Sequence, residues 1–271
     1  EPQFLRSFAE KMGTIANLDA LYCLTWCDAK AVGEGILTGW QEAILADLRE
    51  AVAEQLAGGV APGTRHDKLK AAMVAGGVIE SAAELFLRSL GNTYEHQVQT
   101  TDIASHYLVF AEAVQHGIGL NYEVAEKFIR LTGAMPDRRG LLADVAATLS
   151  GHGFDIIDCR TWITDGSGDR AAMVLYSFRL SSIYPARVKD DDLWQRLRRD
   201  LHAVARGELE PQTLLAKRRN ALVVRPADSG FDDPAVKVEQ RTSEHHTIVD
   251  IHTKDEVGLL SKLTRAISAF G

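Results

Sequence analysis

The sequence predicts an α+β protein in three parts: a long helical region, a strand-helix-strand-strand-helix unit, and the first half of a second such unit. Three observations carry this. The stretch Met135-Pro-Asp-Arg-Arg-Gly-Leu-Leu-Ala-Asp-Val-Ala-Ala-Thr-Leu-Ser-Gly-His-Gly-Phe154 returns in altered form as Lys254-Asp-Glu-Val-Gly-Leu-Leu-Ser-Lys-Leu-Thr-Arg-Ala-Ile-Ser-Ala-Phe-Gly271. A constant offset of 118 (255 − 137, 258 − 140) brings Asp137 onto Asp255, Gly140 onto Gly258, Leu149 onto Ile267 and Gly153 onto Gly271, and an internal repeat of this kind sets the architecture. Apolar residues recur at helical spacing up to about residue 116 and alternate with polar ones after it. A chain of 271 residues has the length of about two domains.

Composition narrows the classes. The chain is 46% hydrophobic and 25% charged, ordinary for a protein with real cores. A net charge of −7 and a pI near 5.7 give no electrostatic reason to expect a nucleic acid or a membrane surface as partner. No apolar run is long enough to span a bilayer and no charged-then-apolar leader stands at the start, so a cytoplasmic protein is expected. Three cysteines, Cys23, Cys27 and Cys159, are too few and too odd for a disulfide framework. Cys23 and Cys27 lie four apart in a helical stretch and lack the second pair of a zinc site, so they read as buried thiols.

Residues 3–57 read as helical. Phe4, Phe8 and Met12 are four apart, and Leu18, Leu21, Tyr22 and Thr25 continue the spacing. Asn17 or Asp19 is placed to cap the second helix, and Gly33 with Gly35 breaks it before Leu37–Leu56. That third helix shows one apolar face of Trp40, Ala43, Ile44, Leu48, Ala51 and Val52. Gly58–Gly63 is a loop. Within Leu21–Gly33, Asp28 stands out as a carboxylate four after Leu24 and next to Cys27, close to an apolar face. Such a group is hydrogen-bonded, paired or on a metal; the residues favour a capped or paired helix Asp over a ligand.

Residues 66–116 are mainly helical, marked by Leu69, Met73, Leu85, Phe86 and Leu90. His66, His96, His106 and His116 are 30, 10 and 10 apart, so no two share a helical turn as a metal-binding pair would, and they read as solvent-facing or capping.

Glu126–Gly133 then alternates as a strand, and a helix follows from Gly140 with Leu141, Leu142, Val145, Ala146 and Leu149 on one face. Gly151 and Gly153 end it, the second as a C-terminal cap. Asp155–Thr164 is a second strand, Asp165–Asp169 a hairpin turn and Ala171–Leu180 a third strand. Asp190–Val204 makes another helix with Leu193, Trp194, Leu197 and Leu201 inward. That order is most of a ferredoxin-like unit. At its first strand-to-helix turn, Gly140 lets backbone pass close to a ligand, and the unpaired N–H groups of the helix favour a carboxylate. Asp137 either caps the helix or receives an amino group.

Arg206–Asn220 reads as a helix whose basic end, Lys217-Arg-Arg219, is a solvated helix end. Pro226–Pro234 is a linker, Val236–Glu239 a short strand, and Thr247–His252 with Asp255-Glu-Val-Gly258 repeats the strand and turn. The resulting division is 1–120 helical, 121–207 first ferredoxin-like module, 208–235 linker and 236–271 the start of a second. Half a module leaves a strand edge and a helix face without partners, so residues 236–271 are expected to be poorly held.

Three of these segments carry a resemblance. Leu24-Thr-Trp-Cys-Asp-Ala-Lys-Ala-Val32, with Trp40 beyond it, resembles the late helix of the HD phosphohydrolase domain in the bacterial bifunctional PII uridylyltransferases. Phe86-Leu-Arg-Ser-Leu-Gly-Asn-Thr-Tyr94 with Thr101–His106 resembles the segment that follows it there, with Gly91 where the family carries proline. Asp-x-x-Gly-Leu-Leu at 137 and, as Asp255-Glu-Val-Gly-Leu-Leu260, at 255 resembles the turn of an ACT domain, an amino-acid-sensing module. Arg138-Arg139 and Glu256-Val257 stand where the family often has Arg-Pro.

The resemblance implies an α+β fold made of the helical end of an HD-type domain, an ACT domain and half of another. It implies a piece of a longer multifunctional enzyme of nitrogen regulation, which adds uridylyl groups to the PII signalling protein and removes them. UTP and a divalent metal, Mg or Mn, would serve the transferase and hydrolase sites of that longer protein, with no catalytic residue here and Asp28 as one metal ligand. Glutamine would bind at Asp137, Gly140 and Leu141 and at Asp255, Gly258 and Leu259. The competing readings are a non-enzymatic ACT-repeat sensor and an HD-type nucleotide phosphohydrolase with an ACT sensor tail.

Overall fold

The computed structural model describes residues 2–32, 39–57, 64–125, 128–166, 171–221, 234–239 and 247–270. The helices are α1 (Pro2–Met12), α2 (Ile15–Val32), α3 (Gly39–Leu56), α4 (Thr64–Ala75), α5 (Glu80–Gln97), α6 (Ile103–His116), α7 (Leu141–Gly151), α8 (Asp191–Ala205), α9 (Pro211–Ala221) and α10 (Leu259–Phe270). The strands are β1 (Gly119–Val124), β2 (Ile129–Pro136), β3 (Phe154–Ile163), β4 (Met173–Ser182), β5 (Ala235–Glu239) and β6 (Ile248–His252). The mixed α+β class expected from the sequence is what the chain adopts. It divides into two compact units, Glu1–Asp137 with Ile156–Ser181, and Arg138–Asp155 with Ser182–Gly271. The sequence-predicted break at Gly33 and Gly35, the Gly58–Gly63 loop, Glu126 and Lys127, most of the Asp165–Asp169 turn, Pro226–Asp233 and the side chains of Trp40 and His96 lie outside the described residues.

In the first unit, α1, α2 and α3 share a small core of Ala9, Leu18 and Val52, with Phe8, Met12 and Leu48 against it. The chain turns from α1 to α2 at Gly13, and α2 is capped by Thr14, whose Oγ1 accepts from the Asn17 amide at 3.2 Å. Asn17 instead reaches back to the Met12 carbonyl and Asp19 pairs with Arg49 of α3 at 2.6 Å, so neither is the cap expected from the sequence. Cys23 and Cys27 are exposed, contrary to the buried-thiol reading. The reason is that α2 buries only the stripe running through Leu18, while Leu24 on the far side is 67% exposed.

The larger core of this unit joins α4, α5 and α6 to one face of a sheet. Leu69, Met73, Phe86, Leu87, Tyr94, Ile103 and Val109 pack with Ala134, Trp162, Met173 and Leu175. Phe86 sits edge-on to Tyr94, Tyr107 and Phe110, the geometry that aromatic quadrupoles prefer. The helix α5 is kinked at Gly91, and Trp162 Nε1 donates to Gln97 Oε1 at its end. The sheet runs β1-β2-β4-β3, with β2 antiparallel to both β1 and β4 (Leu120↔Gly133, Gly133↔Tyr176). Thus β4 separates β2 from β3, the split arrangement of a ferredoxin-like sheet, and β1 holds the edge place beside β2.

The β1 strand was absent from the sequence expectation, although Gly119-Leu-Asn-Tyr-Glu-Val124 alternates; six residues after a helical region gave too short a signal. The β2 strand runs three residues later than expected, because Ala134 and Met135 are buried members of it.

In the second unit, α7 buries Leu141, Val145, Ala146 and Leu149 as its periodicity predicts and packs against α8, α9 and α10. Phe154 stacks on Trp194 at 5.3 Å, and Trp194 Nε1 donates to Val188 O in a 3-10 turn, Pro185–Lys189. Gly153 ends α7 as expected. Strands β5 and β6 pair antiparallel (Val236↔Ile251). The expectation of a partnerless final segment is corrected for α10: Arg139 Nε donates to Ser268 O at 2.6 Å and Arg265 pairs with Asp144 at 2.8 Å.

Two histidines give the first unit opposite pH responses. His106 is buried and hydrogen-bonded through Nδ1 to Tyr94 OH at 3.0 Å, and burial pushes its pKa from 6.5 down to about 4. It is therefore neither the solvent-facing nor the capping residue expected. Because the unfolded chain protonates first, stability falls by about 3 kcal/mol as pH drops from about 6.5 to about 4. His66 lies between Glu84 (3.0 Å) and Glu95 (2.6 Å), and its hydrogen bond to Glu84 leads in raising its pKa. The stability it supplies is complete below pH 6.5 and is lost as pH rises through the folded value. In urea unfolding between pH 4 and 8, His66→Gln is expected to remove the loss on the alkaline side and keep the loss on the acid side. Tyr94→Phe is expected to cost about 1–3 kcal/mol at pH 7 by stranding a buried ring nitrogen.

Candidate effector site at the repeated turns

The first turn follows β2. The Asp137 amide donates to Ala172 O at 2.7 Å, which fixes the exit of the strand. The next residues close on themselves: Leu141 N donates to Arg138 O (3.1 Å) and Asp144 N to Gly140 O (3.0 Å). Gly140 has φ 76, a left-handed conformation that costs a side-chain-bearing residue about 1–2 kcal/mol. Among the described residues a Cβ placed there would meet nothing within 4 Å, so the glycine is required by conformation and no described residue covers it.

The Asp137 side chain is exposed and, among the described residues, its carboxylate has no partner. Among the described residues no side chain caps α7, so the capping role open in the sequence is not the one Asp137 plays. The amides of Leu142 and Ala143 make no bond among the described residues. Leu141 itself is buried and its amide is spent on Arg138, which makes it a shaper of the turn.

The second turn is built the same way. Leu259 N donates to Glu256 O (3.0 Å) and Lys262 N to Gly258 O (3.1 Å), with Gly258 at φ 80. Asp255 is exposed and Leu259 half-buried. The surroundings of the glycine differ, however. Gly258 is buried, and a Cβ on it would lie 2.6 Å from Leu215 Cδ2.

Charge also distinguishes the two. Arg138 pairs with Asp144 at 2.7 Å, and the positions 118 further on, Glu256 and Lys262, pair at 3.0 Å with the signs exchanged. Asp144, whose side chain is 13% exposed, holds both Arg138 and Arg265 of α10. Arg139 donates to a carbonyl in the last turn of α10, where the helix dipole favours a cation.

Asp28 lies exposed on α2. No group of three His, Cys, Asp or Glu side chains able to hold a metal occurs among the described residues. A hard divalent ion needs several oxygen ligands, so the described residues around Asp28 do not by themselves fit one. His116 is exposed at the end of α6. No helix is long and apolar enough to cross a membrane, among the described residues.

With this geometry in view, curated proteins supply the relationship. A bifunctional uridylyltransferase/uridylyl-removing enzyme of Caulobacter vibrioides (strain NA1000 / CB15N) is 25% identical over 283 aligned residues, covering 99% of this chain. One from Cereibacter sphaeroides is 24% identical over 287, again covering 99%. The chain is homologous to part of these enzymes. It spans 29% of the length of either bifunctional uridylyltransferase/uridylyl-removing enzyme. No protein-family model matches the chain, and no solved structure matches it.

Sequence reasoning placed the turns and missed the residues that tie them down, Asp144, Arg265 and Leu215. The charge exchange was visible in principle, since the offset of 118 superposes Arg138 on Glu256 and Asp144 on Lys262. Asp144→Ala is expected to destabilise the second unit more than Arg138→Ala or Arg265→Ala, because it releases two cations. A double-mutant cycle of Asp144 with the half-exposed Arg265, read by chemical denaturation, should return a coupling of about 0.5–1 kcal/mol that shrinks at high salt.

Proposed function

We propose that this chain is a regulatory portion of a bifunctional enzyme that uridylylates and deuridylylates the PII nitrogen-signalling protein, and that its repeated turns belong to ACT domains sensing glutamine. The observation that carries the reading is the first turn: a left-handed glycine that no described residue covers, with a carboxylate at Asp137 and helix amides at Leu142 and Ala143 that have no partner among the described residues. An α-amino acid offers the complementary pair, a carboxylate for the Leu142 and Ala143 amides and an ammonium for Asp137.

Relatives named for both activities along nearly the whole chain support the enzyme context. In this reading 1–120 is the end of an HD domain and its connecting helices, 121–207 the first ACT domain, 208–235 a linker and 236–271 the start of a second. UTP, PII and a divalent metal, Mg or Mn, act on other parts of the intact protein, where Asp28 would add one carboxylate to a metal site completed elsewhere.

Regulation of this kind requires glutamine to bind one arrangement of the protein better than another; a hundredfold preference corresponds to about 2.7 kcal/mol. Calorimetry on the intact protein is expected to show glutamine binding that weakens at least tenfold in Asp137→Asn and in Gly140→Val. Unchanged affinity in both variants would remove the turn from the mechanism.

A further inference from the structure

The two turns are alike in backbone and unlike in what covers them, and the difference is α9. One row of this helix, Leu214 and Arg218, faces the end of α7. Leu214 lies against Gly151, Arg218 Nη1 donates to Ser150 O and to Phe154 O (3.3 Å), and its Nη2 pairs with Asp155 at 2.9 Å. The other row, Gln212, Leu215 and Arg219, faces the second turn. Gln212 Nε2 donates to Ser261 Oγ at 3.3 Å, Leu215 presses on Gly258, and Arg219 Nη2 donates to Val257 O at 2.8 Å. Spacings of four in the first row and of three and four in the second put each row on its own helical face. The space over Gly258 is thus filled by a side chain of the same chain, whereas no described residue fills the space over Gly140.

We infer that α9 is a built-in occupant of the second turn, so that the chain presents one open amino-acid turn and one that opens only when Leu215 and Arg219 withdraw. The inference rests on reading the turns as amino-acid sites. Its physical content is competition: a ligand reaching Gly258 must displace Leu215 and break the Arg219 bonds to Val257, so occupancy of the second turn and attachment of α9 exclude each other. The bonds from α9 to the end of α7 do not involve the second turn, which leaves α9 a fixed side when the other lets go.

The test uses glutamine as probe and the intact protein. Wild type is expected to bind at one site per chain, with an affinity unchanged within twofold by Asp255→Asn, an exposed position that carries little folding risk. In Leu215→Ala combined with Arg219→Gln, a second site is expected, and adding Asp255→Asn should weaken it at least tenfold. Two sites in wild type, one of them lost in Asp255→Asn, would overturn the proposal, as would a variant that still binds once.

Hydrogen exchange separates failure of the proposal from failure of the amino-acid reading. The double variant should raise exchange at the Leu259 and Lys262 amides at least tenfold and leave those of Leu141 and Asp144 unchanged. If no form binds glutamine, the sensing reading fails, and this pattern alone decides whether α9 covers the second turn; equal exchange in both turns would overturn that.

Discussion

The constraint on which the second unit depends is the reversal of the chain from strand direction into helix through a single left-handed residue. At Gly140 and again at Gly258 the amide three residues beyond the first turn position donates back, and the next bond begins the helix. Each of the two helices that pack on one another, α7 and α10, starts from such a turn. Any residue with a Cβ would bear about 1–2 kcal/mol of backbone strain there. At Gly258 it would also have to move Leu215. The same turn is therefore a conformational requirement in one copy and a conformational and steric one in the other.

The charges around the turns show which contacts hold the unit and which set its pairing. The Glu256–Lys262 pair is exposed and the Arg138–Asp144 pair partly so, and exposed pairs contribute about 0–1 kcal/mol each. Their value lies in placement. With the signs exchanged between copies, the acidic member of the first pair is free to take Arg265 from the second helix. In an identical second copy position 265 would carry alanine, as position 147 does, and Asp144 would lose this partner. The divergence of the repeat thus serves the pairing of unlike copies.

Much of this was legible in the sequence, and the limits have physical causes. The repeat offset, the apolar faces of α7 and α8, and strands β3 to β6 follow from periodicity, because each is decided within a few residues. The first turn was found from the glycine and the aspartate alone. Features set by distant neighbours were not found. Arg218 sits in a basic triplet that reads as solvated, yet it is 7% exposed and bonded to the end of α7. Cys23 and Cys27 are on a helix with apolar content enough to look buried, but only the stripe through Leu18 meets a partner. His66 and His106 were indistinguishable by spacing and differ entirely in surroundings, one between two carboxylates and the other against Tyr94 and Trp162.

The two faces of α9 are unequal in extent, and this decides how it behaves: the helix packs along α7 and meets α10 at few points. On the α7 side a buried guanidinium meets two carbonyls and the Asp155 carboxylate at the negative end of a helix. Separating a buried charge from its partners costs about 3–5 kcal/mol. On the side of the second turn the contacts are one buried leucine, worth about 1.5–3 kcal/mol if its burial is lost entirely, exposed hydrogen bonds from Arg219 and a part-buried one from Gln212, worth about 1 kcal/mol or less each in net terms. The leucine loses only part of its burial if another apolar group replaces Gly258 against it, whereas the guanidinium has no alternative set of acceptors at the end of α7. When α9 gives way on one side, it is the side of Gly258 that yields, while Arg218 keeps the helix attached to the first repeat.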